Sequence, residues 1–190
     1  IAPALLAVAL IAGVSLWMGY DWIIVNVPQA LSKASPENLQ KLSDRVREMP
    51  DISNLQESIN APFLFLNNTR AVTLIFFAGL FSFSVLGVLL YMVNIGIIGG
   101  LFGLFQLLGI QPWPIFLAGV VPHGVFEIPA LMIGSAVVLY MGVAIVTPQT
   151  GKSMGEVILE LFADWAKIFI GLVVPLLAVA AMIEAYITPT

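Results

Sequence analysis

The stretch that decides the fold runs from Ala71 to Val121, AVTLIFFAGLFSFSVLGVLLYMVNIGIIGGLFGLFQLLGIQPWPIFLAGVV, and it contains no charged residue. A helix needs about 20 apolar residues to cross a hydrocarbon core of roughly 30 Å, because each residue rises about 1.5 Å and lipid offers no partner to an open peptide group. The stretch is too long for one crossing and suits two crossings plus a shorter piece. Asn94, Gly96, Gly99 and Gly100 are its turn-prone residues, so spans of about 71–92 and 95–110 are expected. Gln111-Pro112-Trp113-Pro114 ends the second, since neither proline continues a helix and each pushes the residue before it to extended geometry. Ile115 to Val121 is too short to cross and reads as a half-helix or re-entrant segment, broken by Pro122.

The same reading extends outward in both directions. A full span is expected from about His123 to Val146, ended by Thr147-Pro148. Upstream, Ala4 to Tyr20 is apolar and closes on Trp17, Tyr20, Asp21 and Trp22, residues that suit the headgroup level. With no basic stretch before it and no clear cleavage site, it is expected to be a retained first span rather than a signal peptide, and a start at Ile1 instead of Met suggests residues before it. Glu156 to Lys167 is amphipathic, with Glu156, Glu160, Asp164 and Lys167 on one face and Val157, Leu161 and Trp165 on another, and it runs into a last span of about Ile168 to Ala185. The expected architecture is an all-α, polytopic transmembrane bundle of five spans and one short broken or re-entrant helix. Residues 1–20 form the first span, 21–62 a polar helical loop, and 63–190 a four-span core broken near 115–122.

Composition agrees. The chain is 60% hydrophobic and 9% charged with a mean hydropathy of +1.03, against roughly 45–50% apolar and about 25% charged in soluble domains. Such a chain has lipid as its solvent and is expected in the cell membrane as a multi-pass protein. A net charge of -4 with seven Lys and Arg excludes nucleic acid as a partner. Without cysteine there is no disulfide, thiolate metal site or Cys nucleophile.

The hydrophilic residues are concentrated in 21–62. Ser35-Pro36-Glu37 starts a helix, with Ser as cap and Pro in the first turn, and Leu39, Leu42, Val46 and Met49 form its narrow apolar seam until Pro50. Ser53 and Gln56 suggest a second short helix, with Ile52, Leu55 and Ile59 on one side. The two either pack on each other, lie on the membrane, or dock a partner. Counting Lys33, Lys41, Arg45, Arg47 and Arg70 against Lys152 and Lys167 places this segment in the cytoplasm, although it also holds six acids.

An ionisable side chain inside a span costs about 2.5–3.5 kcal/mol on insertion scales, which makes each one a functional candidate. His123 is the single histidine, and Glu127 lies four residues on in Pro122-His123-Gly124-Val125-Phe126-Glu127, on the same helical face, where a hydrogen bond between them can form. Gly124 permits close approach of another backbone. Three readings compete: the pair satisfies itself at a broken helix, it is a site for an ion, proton or small anion, or it is a metal or acid–base centre. A catalytic zinc normally takes three protein ligands, and HExxH is absent, so no metal, cofactor or enzymatic activity is expected. Asn67 and Asn68 either cap a helix or bridge to the His123 region, Asn94 is either a turn residue or, with Gly96 after it, sets its amide against a neighbouring broken helix, and Glu184 is expected to reach the interface beside Tyr186. Gly96 with Gly100 and Gly99 with Gly103 form two overlapping GxxxG patterns suited to helix packing, within the chain or between subunits.

The Asn67-Asn68 pair before a span, the Gly-rich segment with Asn94 and Gly96, and the His-Gly-x-x-Glu motif of His123, Gly124 and Glu127 together resemble the stage II sporulation protein M family. The resemblance covers roughly residues 60–188. It implies a helical membrane protein of about five spans, with residues 21–62 outside the cell. In sporulating bacteria, members of that family anchor a complex with peptidoglycan-degrading enzymes during engulfment. This chain has Asn94-Ile95-Gly96 where the family often has Asn-Gly together. The expected function is a non-enzymatic anchor or organiser of a membrane complex. Its expected partners are the lipid bilayer, further copies of itself as a homo-oligomer, and membrane or extracytoplasmic proteins. The alternative is a channel or transporter for an ion, proton or small solute that uses His123 and Glu127.

Overall fold

The structure is a computed structural model that describes residues 1–47, 60–147 and 151–188. Among these residues every regular element is helical: α1 (Ala2–Lys33), α2 (Pro36–Arg47), α3 (Ala61–Phe81), α4 (Val85–Leu107), α5 (Pro112–Val146) and α6 (Met154–Tyr186). Five of them, all but α2, are long and apolar enough to cross a membrane.

The close pairing of α1 with α4 organises the rest. Gly96, Gly99, Gly100 and Gly103 lie along the side of α4 that meets α1, and Gly19 faces them from α1. A Cβ added at Gly99 would overlap the Leu16 carbonyl oxygen, and one at Gly19 the carbonyl of Gly96. At Gly103 it would stand 2.9 Å from the Tyr20 carbonyl oxygen and 3.1 Å from Ile23 Cβ. The GxxxG stripes are thus spent inside the chain, where bare backbone permits the van der Waals contact that lipid cannot drive otherwise. The contacts climb both helices together, from Val8 beside Tyr91 to Tyr20 beside Gln106, so α1 and α4 are parallel.

The expected turn at Asn94 to Gly100 is corrected by this pairing. Those residues lie in mid-helix, and the chain turns instead at Ser82, Phe83 and Ser84, with spans at 61–81 and 85–107. Phe83 and Ser84 both take positive φ, 51° and 75°, a conformation rare for residues with a side chain. Hydroxyls hold the turn: Ser84 Oγ donates to the Val138 carbonyl at 2.5 Å, and Ser82 Oγ accepts from the Leu86 N–H at 2.8 Å.

The prolines behave as expected between α4 and α5, which ends one helix at Leu107 and starts the next at Pro112. The break near 115–122 takes a different form: α5 is continuous, and Phe116–Val120 is one π turn rather than a re-entrant segment. The Val121 N–H reaches back five residues to the Phe116 carbonyl. A proline ring in a regular helix clashes with the carbonyl four residues earlier and lacks the N–H that would bond it. The wider turn just before Pro122 relieves that clash. In α6 the device recurs at the same spacing, with a π turn over Phe169–Val173 ahead of Pro175.

The first span likewise continues past its aromatic edge, because α1 runs to Lys33, so the first part of the polar loop is helical and continuous with that span. Within 21–62 the helix start at Ser35 is present, the Asn38 N–H reaching Ser35 Oγ at 3.3 Å. The second helix expected around Ser53 lies outside the described residues. The amphipathic start of α6 buries Val157, Leu161 and Trp165 and leaves Glu156, Glu160 and Asp164 exposed, with a capping box between Ser153 and Glu156. Trp165 stacks on Phe76 of α3 at 3.7 Å and on Phe169 at 4.7 Å.

If the α1–α4 contact sets the bundle, Gly99→Ala should lose about 1–3 kcal/mol through overpacking against backbone. Gly124→Ala, whose Cβ would meet nothing nearer than 3.6 Å, should stay within about 0.5 kcal/mol. Thermal unfolding of the detergent-solubilised variants measures both, and equal midpoints would contradict the assignment.

Candidate functional site

Helix direction fixes which polar residues can meet. The Ser84 hydroxyl bonds Val138, and Ile1 shares a cavity wall with Tyr140, Asp164 and Lys167. The start of α1, the α3–α4 turn, the end of α5 and the start of α6 therefore share one end of the bundle. The opposite end carries the α1–α2 junction, the start of α3, the α4–α5 connection and the end of α6. His123 and Glu127 lie in the first half of α5 and Glu184 two residues from the end of α6, so all three belong to this second end, nearer its rim than the first.

There the structure brings them together. One ligand atom from each of His123, Glu127 and Glu184 lies within 4.8 Å of the other two. His123 Nε2 stands 3.9 Å from Glu127 Oε2, as the spacing of four dictates, with the side chains 13% and 23% exposed. That separation is an ion-pair distance and exceeds a hydrogen bond. His123 Nδ1 is buried without a hydrogen-bond partner. The pair does not complete its own bonding, so it holds capacity for something else.

Gly124 beside it is no helix crossing: a Cβ added there would meet only side-chain atoms of Ile128 and Val120 on its own helix, at 3.6 and 3.7 Å. Asn67 is exposed and Asn68 half-buried on α3, and no hydrogen bond among the described residues joins either to His123 or Glu127. The cap of α3 is Asn60, whose Oδ1 accepts from the Phe63 N–H at 3.0 Å. Asn94 is satisfied within α4, its Nδ2 donating to the Leu90 carbonyl at 2.9 Å.

The residue that sequence reasoning left out of the site is Glu184. Counting five alternating spans carries the end of the last one to the same face as the start of the fourth, and that parity was the available signal. Its charge in an apolar helix marked it, but proximity in sequence to Tyr186 pointed to the interface alone.

The stage II sporulation protein M family profile matches residues 2–189. The chain belongs to the stage II sporulation protein M family. An uncharacterized protein of Methanocaldococcus jannaschii is 29% identical over 157 residues, which cover 82% of this chain and 84% of the relative. No solved structure matches. In this sporulation protein M family member, the His-Gly-x-x-Glu motif is one turn of α5 with His123 and Glu127 half-buried and Gly124 buried, while the Asn-Asn pair and Asn94 sit on other helices, with no hydrogen bond among the described residues joining them to it.

Breaking a buried ion pair that staples a helix costs about 3–5 kcal/mol. A 3.9 Å pair that is not hydrogen-bonded should contribute far less. With a chelator present to remove stray cations, Glu127→Gln should change stability by no more than about 1 kcal/mol; a loss of about 3 kcal/mol or more would make the pair a structural staple.

Proposed function

We propose that this chain is a non-enzymatic anchor or organiser of a protein complex in the cell membrane, and that it works through the segment that begins at α2. The observation that carries the proposal is the state of α2. It is a charged, amphipathic helix with an i,i+4 ion pair of 2.6 Å between Lys41 and Glu37, and it packs on none of the other described helices to any substantial degree. A narrow apolar seam on a free helix suits docking, since an amphipathic helix gains most by laying that seam on a partner. Family membership supports the reading, because members in sporulating bacteria anchor a membrane complex. The extracytoplasmic placement of this segment follows the family, and the basic-residue count argues for the opposite face.

Self-association keeps one support. The glycine stripes are occupied within the chain, whereas the groove between α1, α4 and α5, about 460 Å³ and lined by Leu16, Trp17, Tyr20, Phe102, Trp113 and Phe116, is open and apolar. Size-exclusion chromatography with light scattering in detergent should give a mass above one chain, and a monodisperse monomer at all concentrations would remove the homo-oligomer from the proposal.

The gathering of His123, Glu127 and Glu184 favours a second reading, an ion or proton pathway. The two separate on flux. Purified protein in sealed liposomes should show no ion or proton flux above that of empty vesicles. A clear flux abolished by Glu127→Gln, in a variant that keeps its fold, would overturn the anchor and establish transport.

A further inference from the structure

We propose that His123, Glu127 and Glu184 form a binding site for one divalent transition-metal cation that bridges α5 to α6. The donor set is one imidazole nitrogen and two carboxylate oxygens, a chemistry suited to first-row divalent ions such as zinc. Its dimensions are close to those required. Ligand atoms about 2.0–2.2 Å from a tetrahedral zinc stand about 3.3–3.6 Å apart, and the three here lie within 4.8 Å of one another. Rotation of the two flexible glutamate side chains is the movement that would close that difference.

Charge argues for the same occupant. Ionised carboxylates bring negative charge into an apolar bundle, and among the described residues no Lys or Arg forms an ion pair with them. A divalent cation offsets that charge, whereas an anion would add to the imbalance. The bonding state of the imidazole is a second and separate observation. His123 Nδ1 is buried with no partner, and its Nε2 is 3.9 Å from the nearest carboxylate oxygen. Among the described residues the buried Nδ1 lacks the hydrogen bond that a buried histidine normally finds, and Nε2 has no hydrogen bond from a protein group. A metal ion would take one of them.

The consequence is structural. Glu127 sits one turn after His123 on α5, and Glu184 comes from the last turn of α6, so the ion would tie the two helices at the end of the bundle where α2 also begins. Three protein ligands leave one coordination position for water or for a donor from outside the chain.

The test uses the full chain, purified in detergent, stripped with chelator and dialysed against zinc alone, with bound metal counted by elemental analysis. The expected result is about one zinc per chain, with binding weakened about a hundredfold or more in His123→Ala and in Glu127→Gln. Asp164→Asn, at the other end of the bundle and paired with Lys167, should bind as the unaltered chain does. Because His123→Ala alters a half-buried position, Glu184→Gln provides a near-isosteric variant at a helix end, and its thermal midpoint in chelator should equal that of the unaltered chain while its zinc affinity falls. Cobalt loading adds a direct view of the ligands: a visible absorption band present in the unaltered chain should vanish in His123→Ala. Failure to bind zinc, or zinc retained with unchanged affinity in the folded Glu184→Gln and Glu127→Gln chains, would overturn the site. Neither outcome bears on whether α2 docks a partner.

Discussion

The rest of the structure depends on the direct approach of two backbones, α1 and α4. In lipid the apolar surface of one helix gains nothing by leaving solvent for another, so association has to come from close packing. Here that packing is available because Gly19 meets Gly96 and Gly99 meets Leu16 with no side chain between them. The contact is long, it is parallel, and Tyr20 extends it by donating to Gln106 at 2.7 Å. Once α1 and α4 are fixed in this way, α3 returns between their ends, and α5 and α6 close the bundle, with Val72, Phe76 and Leu177 buried in its core. The direction of every later helix follows, and with it the face on which each polar residue emerges.

Proline and polarity are handled by the same rule, that no peptide group in lipid is left open. Pro122 and Pro175 each remove a backbone donor from the middle of a long helix, and in each case a π turn begins six residues earlier and absorbs the mismatch. Neither helix is cut. The continuity of α5 matters for the site, because His123 and Glu127 are presented by a helix that spans the bundle rather than by a half-helix that ends beside them. What makes them unusual is their incomplete bonding, together with a third charged group that arrives from the far end of the chain.

Much of this was legible in the sequence, and the failures share a cause. Charge-free runs located five spans, and the stripe of Val157, Leu161 and Trp165 opposite Glu156, Glu160 and Asp164 gave the buried face of α6. The turn between α3 and α4 was misplaced because the residues that usually mark turns, Asn94 and the glycines after it, serve packing here, while the turn itself is made by Ser82, Phe83 and Ser84, whose positive φ angles no local preference foretells. The break at Pro122 was read as an end because a one-residue widening of the helix leaves no mark in composition. His123 and Glu127 were found from spacing, yet their actual separation of 3.9 Å and the unpartnered Nδ1 are facts of side-chain geometry. Glu184 required the topology, since it lies 57 positions from Glu127 in the sequence.

In the proposed anchor the bundle serves as the carrier. It places the free amphipathic helix α2 and the cluster of His123, Glu127 and Glu184 at one end, and the Lys152 to Lys167 region at the other. The proposed anchoring would use the first feature, and any ion held by the cluster would tighten the same end. Both depend on the helix directions that the α1–α4 pair imposes. The native chain has no cysteine, so single cysteines at Ser35, Gly151 and Thr188 can be labelled with a membrane-impermeant maleimide in right-side-out and inverted vesicles. Positions 35 and 188 should react from the same side and position 151 from the other; labelling of 35 and 188 from opposite sides would contradict the arrangement.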